Sequence, residues 1–175
     1  MKIESFWNAL KLSTNPKLIF VCLGNICRSP FAQMKFEQLL QQSEVKRKHE
    51  FIIQSGGFIH QKDVRIHPMT ERALLEEQIP IERIEQHFPR RLRKHKEDLL
   101  DATALIVMAQ SHRDIQMPAK YRDKTILLSA IALDGKEIDI PDPALIENFE
   151  EYKQIMQKIT DYLKTFIKLL EEKGF

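Results

Sequence analysis

Residues 19–30 read Ile-Phe-Val-Cys-Leu-Gly-Asn-Ile-Cys-Arg-Ser-Pro, an apolar run that breaks into a short polar loop. Ile19 to Val21 suit a buried strand, while Ser29 and Pro30, followed by Phe31 to Phe36, read as a helix start with proline one place inside. A strand feeding a loop that opens a helix aims backbone N–H groups and the positive end of the helix dipole into one concavity, which suits a tetrahedral oxyanion. Cys22 and Arg28 flank that loop. A guanidinium fork can hold two phosphate oxygens at once. A cysteine at the floor of the same concavity would have its thiolate, the nucleophilic form, stabilised by those donors. The loop is therefore expected both to bind a phosphate and to attack it. A cysteine and an arginine at this spacing would also arise from a buried strand end and a solvated helix residue, so the pair alone decides little.

A cysteine that accepts a phosphoryl group needs a proton donor for the departing oxygen. The candidate is Asp142, in Ile138-Asp139-Ile140-Pro141-Asp142-Pro143. Flanking prolines stiffen that stretch, and a carboxylate facing an apolar rim there would be held near its target and kept protonated. An ordinary Asp-Pro turn is the plainer alternative, and Asp139 is a second candidate.

The whole string Val21 to Pro30 resembles, at each of its positions, the signature loop of the low-molecular-weight protein tyrosine phosphatases. The resemblance implies that Leu23, Gly24, Asn25, Ile26, Cys27, Arg28 and Ser29 surround the phosphate, with Cys22 as nucleophile and Asp142 as general acid. It implies that Ser29 hydrogen-bonds the Cys22 sulfur and that Asn25 holds the loop's shape. Cys27 would either form a reversible disulfide with Cys22 or be a small buried side chain. Arginine phosphatases resemble this loop but tend to carry Thr where Leu23 stands, which leans the chain towards phosphotyrosine. Ser55-Gly56-Gly57 and His87-Phe88-Pro89-Arg90-Arg91-Leu92 match looser family segments. Three features depart from the family. Ala144-Leu145 follow Pro143 where aromatics usually wall the cleft, Ala109 replaces an acidic residue, and Ile81 to Phe88 is longer than usual. Phe58 or His60 is expected to supply an opposing wall.

Length and composition bound these readings. A chain of 175 residues with 43% hydrophobic content supports one domain with a proper core. Its 27 basic and 25 acidic side chains leave a net charge of +2, which does not suggest nucleic acid as a partner. Both cysteines lie in the loop, so no structural disulfide framework is expected. No apolar run is long enough to span a bilayer and the N-terminus lacks the order of a signal peptide, so no stable membrane association and a cytoplasmic setting are expected. No metal-ligand spacing is evident, and no cofactor is expected.

Along the chain, residues 1–16 form an extension ahead of a domain spanning 17–175. Ile3, Phe6, Trp7 and Leu10 fall at helical spacing and predict a short helix, packed on the domain or docking a partner. Strands are expected at Ile19 to Cys22, Phe51 to Ile53, Ala102 to Met108 and Lys124 to Leu128. Helices are expected from Phe31 to Gln42, Pro68 to Gln78, Lys94 to Leu100 and Asn148 to Glu172. Arg90-Arg91-Leu92-Arg93 is a basic cluster ahead of a helix, and Lys46-Arg47-Lys48-His49 is a second one, read as a solvated turn rather than a nucleic-acid patch. Strands alternating with helices, with connections long enough for crossovers, predict an α/β fold. Its form is a three-layer, four-stranded parallel sheet with helices on both faces and the phosphate-binding loop after the first strand.

Together these readings point to a cysteine-dependent phosphatase acting on phosphotyrosine protein and aryl phosphate monoesters through a phosphocysteine intermediate. Its rivals are a phosphoprotein-binding module with little turnover and an arsenate reductase-like enzyme. The latter chemistry needs further cysteines downstream, and there are none.

Overall fold

A computed structural model describes residues 1–59 and 64–175. Four strands, β1 (Lys17–Cys22), β2 (Ile52–Gly57), β3 (Ala104–Val107) and β4 (Thr125–Leu127), form one parallel sheet in the order β2-β1-β3-β4. β1 and β3 are buried on both faces, as their unbroken apolar runs require. The third and fourth strands are shorter than the apolar runs that predict them: Ala102 and Thr103 close a helix and link it to the third, while Lys124 ends a helical turn and Leu128 begins a helix on either side of the fourth. Register places Cys22 opposite Gly57, so the C-terminal ends of β1 and β2 finish side by side.

Helix α1 (Ile3–Leu12) precedes the sheet, and α2 (Arg28–Gln42) follows the loop after β1. α3 (Pro68–Glu76), α4 (Ile81–Glu85), α5 (Lys96–Asp101), α6 (Leu128–Ala132) and α7 (Phe149–Glu172) complete the helices, with α4 and α6 too short to show a period in sequence. α7 is capped by Asn148, whose side-chain oxygen accepts from the N–H groups of Glu150 and Glu151. α2 and α7 pack against one another beside the sheet, with Phe36 and Phe166 ring centroids 4.9 Å apart.

Phe6, Trp7 and Leu10 of α1 are buried. Phe6 and Trp7 meet edge-on at 4.9 Å, and both rings lie within 6 Å of Phe166 in α7. The apolar face of this helix is thus spent on the core, and it offers no unpartnered face for docking. Among the described residues no helix is long and apolar enough to cross a membrane.

Candidate active site

The site begins at the bend after β1. Asn25 has φ of 56°, a left-handed conformation that asparagine tolerates better than most residues. Its buried side chain holds it there. Nδ2 donates to Ser29 Oγ and to Ser55 Oγ, both at 2.9 Å, and Oδ1 accepts from the Arg90 N–H at 2.8 Å.

Three loop carbonyls are drawn outward. Leu23 O accepts from the N–H groups of Phe58 and Ile59, Ile26 O accepts from that of His67, and Asn25 O accepts from His87 Nε2 at 2.9 Å. A trans peptide points its C=O and the next N–H in opposite directions. The amides of Gly24, Ile26 and Cys27 are therefore turned the other way, into the concavity lined by Cys22, Leu23, Gly24, Ile26, Cys27 and Arg28. None of these three amides has an acceptor among the described residues. The result is a ring of free donors at the start of α2, the arrangement that binds a tetrahedral oxyanion.

Gly57 allows this packing. A Cβ there would lie 2.8 Å from Asn25 N, 2.8 Å from Leu23 O and 2.9 Å from Gly24 C, all backbone atoms of the loop. The second glycine of the pair is needed for close approach of β2 to the loop, rather than for a turn.

Cys22 sits at the floor, buried, with its sulfur 3.0 Å from Ser29 Oγ. Arg28 is almost wholly buried, its side chain 4% exposed, and its guanidinium is only partly engaged. Nη1 donates to the Ile140 carbonyl at 3.0 Å, Nη2 meets Asp142 Oδ2 at 2.8 Å, and Nε has no partner. Nε and Nη2 form the edge of a guanidinium that grips two oxygens of one anion.

Asp142 is thus brought to the same concavity as Cys22 and Arg28. It shares that concavity with the apolar side chains of Ile59 and Ala144. It rests on Arg28 from a half-exposed loop, with its Oδ1 accepting the Ala144 N–H at 3.2 Å. Asp139 is diverted elsewhere, accepting the Gln110 N–H at 2.8 Å where the strand β3 connection turns.

The two cysteines are both free and buried, yet differ in surroundings. Burial pushes the Cys27 thiol up to about 11, with the Tyr152 hydroxyl opposing and the Cys22 charge adding to the rise. At neutral pH Cys27 is a thiol, and thiols are poor nucleophiles.

The walls correct one expectation. Phe58 is turned into the core against His112, with ring centroids 5.9 Å apart, and does not line the cleft. Ile59, the residue after it, does, together with Ala144. His60 lies outside the described residues. Two histidines escape the sequence reading of roles. His87 hydrogen-bonds the loop, and burial holds its imidazole below the usual range. With a carbonyl as partner, its Nε2 carries the proton. His112 begins a π-turn, His112–Gln116, and is buried with no partner at Nδ1. Burial, then the nearby Arg28 charge, lowers it to about 4. Only long-range contacts single these residues out, although the quoted segment that begins at His87 hints at the first. Among the described residues no three His, Cys, Asp or Glu side chains are grouped to hold a metal.

Comparisons with known proteins agree on the origin of this site. Residues 17–174 match the family described as low molecular weight phosphotyrosine protein phosphatase. The chain is 31% identical over 151 residues to a low molecular weight protein-tyrosine-phosphatase, PtpA, of Staphylococcus saprophyticus, covering 85% of this chain and 91% of that one. It is 30% identical over 161 residues to a protein-arginine-phosphatase of Geobacillus stearothermophilus, covering 90% and 95%. The crystal structure of a mutant YwlE from Bacillus subtilis superposes with a TM-score of 0.76 at 25% identity, over 89% of this chain and 99% of that one. From its loop, its parallel sheet and these matches, the chain belongs to the low molecular weight phosphotyrosine protein phosphatase family.

Proposed function

We propose that this phosphatase hydrolyses phosphotyrosine in proteins, and aryl phosphate monoesters generally, through a phosphocysteine intermediate. The observation that carries the substrate class is the lining of the cleft. Above the phosphate site the walls are Leu23, Ile26, Ile59 and Ala144, and Asp142 is the one carboxylate among the described lining residues. An aryl ring is well matched to aliphatic walls. The guanidinium of a phosphoarginine would look for several acceptors, and Asp142 is the single carboxylate that the described lining offers it.

In the proposed reaction the incoming phosphate displaces Asp142 from Arg28. Two of its oxygens take Nη2 and the waiting Nε, and the third sits on the loop amides. The Cys22 thiolate attacks phosphorus in line with the leaving oxygen. The S–P bond forms as the P–O bond breaks, and Asp142, which takes up a proton from solvent once it leaves Arg28, gives that proton to the departing phenolate oxygen. Asp142 then takes a proton from water, whose oxygen attacks phosphorus and expels the Cys22 sulfur as thiolate, yielding inorganic phosphate. Ser29, 3.0 Å from that sulfur, stabilises it on departure. Arg28 and the amides are already in place before charge develops, and preorganised donors of this kind supply most of the acceleration.

A second reading, phosphoarginine as substrate, is favoured by the arginine-phosphatase relative. The two separate on paired substrates. Turnover of a phosphotyrosyl and a phosphoarginyl peptide of one sequence is measured with chelator present, for the parent and Cys22→Ser. A higher kcat/KM on phosphotyrosine, abolished in Cys22→Ser, is expected. A preference for phosphoarginine would overturn the substrate class, and undiminished turnover by Cys22→Ser would overturn the chemistry. A parent that binds phosphopeptide without turning it over would indicate a binding module.

A further inference from the structure

Beyond β2 the sheet continues by one residue. Gly57 forms a parallel bridge with Arg91, and its N–H donates to the Arg90 carbonyl at 2.8 Å. Cys22 pairs with Gly57 on the other side. Cys22, Gly57 and Arg91 therefore stand in one row across three neighbouring backbones. At strand spacing, Arg91 lies about 10 Å from the nucleophile.

Arg91 lies in a run in which five of seven residues, Arg90 to Lys96, are Arg or Lys and none is acidic. The chain as a whole is nearly balanced at +2, so this strip is a local excess rather than a share of a general one. Of the two carboxylates that directly follow it, Asp98 is already taken by Lys17 and Arg90, with His95 3.9 Å away, which leaves the exposed Glu97 as the acid on the same surface. Arg93, Lys94 and Lys96 are exposed and form no ion pair among the described residues. Arg91 has a buried Nε without a partner.

We propose that this strip, tied to the phosphate loop through the Arg90 N–H on Asn25 and the Gly57–Arg91 bridge, is a docking surface for an acidic segment of the phosphoprotein substrate. This rests on the phosphatase reading of the site. An extended chain spans about 3.3 Å per residue, so about three residues bridge the cleft and Arg91. Asp or Glu three or more residues from the phosphorylated side chain would lie over Arg91, Arg93 and Lys94. Cations on the approach to a cleft raise the encounter rate with acidic partners and lose their effect as salt rises. The strip should therefore act on protein and peptide substrates and leave small aryl phosphates untouched.

The test compares two phosphotyrosyl peptides, identical but for Glu or Gln at the third to sixth positions from the phosphotyrosine. Parent and the surface variant Arg93→Glu/Lys94→Glu are assayed, with p-nitrophenyl phosphate as reference. The parent is expected to prefer the Glu peptide by about tenfold in kcat/KM at low salt, the lower end of steering effects. The preference should fade above physiological ionic strength. The variant should lose it and gain a preference for a Lys-flanked peptide, with p-nitrophenyl phosphate turnover unchanged.

Equal kcat/KM on Glu and Gln peptides, with p-nitrophenyl phosphate still hydrolysed, would overturn the docking surface and leave the site reading intact. No hydrolysis of p-nitrophenyl phosphate would instead overturn the site reading. Docking is then decided by fluorescence anisotropy of the unphosphorylated Glu peptide, where binding lost in the variant supports it and no binding overturns it. Tighter binding to vesicles containing phosphatidylserine than to the Glu peptide would assign the strip to a membrane and overturn the proposal.

Discussion

Replacing Asp142 by Asn should make the protein a better binder of inorganic phosphate and a worse catalyst. The Asp142 carboxylate lies 2.8 Å from Nη2 of Arg28, on the edge a phosphate must occupy. Binding of the anion therefore includes breaking this ion pair. The Arg28 side chain is 4% exposed and that of Asp142 is 45% exposed, so the pair is half screened by solvent. A contact of that kind is worth about 1 kcal/mol, near the upper end for exposed pairs and well short of a buried one. Released from that competition, phosphate should bind about fivefold more tightly, since 1.4 kcal/mol corresponds to tenfold. Loss of a negative charge beside a dianion acts in the same direction. Turnover should fall by about 10²–10⁴-fold, the usual contribution of a general acid, and more for alkyl than for aryl leaving groups. Isothermal titration of phosphate into parent and Asp142→Asn measures the first effect directly, independent of the weakened catalysis. Unchanged or weaker phosphate binding in the variant would refute the competition, and equal losses on aryl and alkyl substrates would remove Asp142 from the acid role.

Three further outcomes follow from the packing. Gly57→Ala would press a methyl group against three backbone atoms of the loop, each under 3 Å away, and should cost about 1–3 kcal/mol in urea unfolding together with most of the activity. His112 is held neutral to about 4 by burial. Its folded value lies below its unfolded value near 6.5, so below that pH the unfolded state binds the extra proton and stability falls as pH drops towards 4. The parent should lose up to about 3 kcal/mol relative to His112→Asn over that window, read as the difference in urea midpoints at pH 7 and pH 4.5, and parallel midpoints would contradict the assignment. Phe6→Ala in α1 should cost about 3–5 kcal/mol, since the ring is fully buried between Trp7 and Phe166, while KM on p-nitrophenyl phosphate stays put.

The parts of this site that sequence makes legible are those specified by neighbours in the chain. Val21 to Pro30 encodes strand, bend and helix start in one string, and Cys22, Asn25, Arg28 and Ser29 meet as that string implies. The unbroken apolar character of Ile19 to Val21 and Leu105 to Val107 announces strands covered on both faces. What brings Asp142 onto Arg28 spans more than a hundred residues, so no spacing rule contains it. His112 and His87 act through contacts of the same kind. Phe58 shows a different limit. Side chains alternate across a strand end, and a slip of one residue exchanges the core-facing ring for Ile59 at the cleft. The basic residues from Arg90 to Arg93 read in sequence only as a cluster ahead of a helix. The bond from the Arg90 N–H to Asn25 and the bridge from Gly57 to Arg91 tie them to the phosphate loop.

The most direct test of the phosphocysteine chemistry is a rapid-quench experiment. Asp142→Ala, which lacks the base for hydrolysis of the intermediate, is mixed with p-nitrophenyl phosphate, whose leaving group needs little protonation, quenched within the first turnover, digested and analysed by mass spectrometry. The expected result is one phosphoryl group on the peptide containing Cys22, absent from Cys22→Ser and lost on standing with the parent. Release of phosphate with no phosphoryl group ever on Cys22, or its appearance on another residue, would contradict the proposed mechanism.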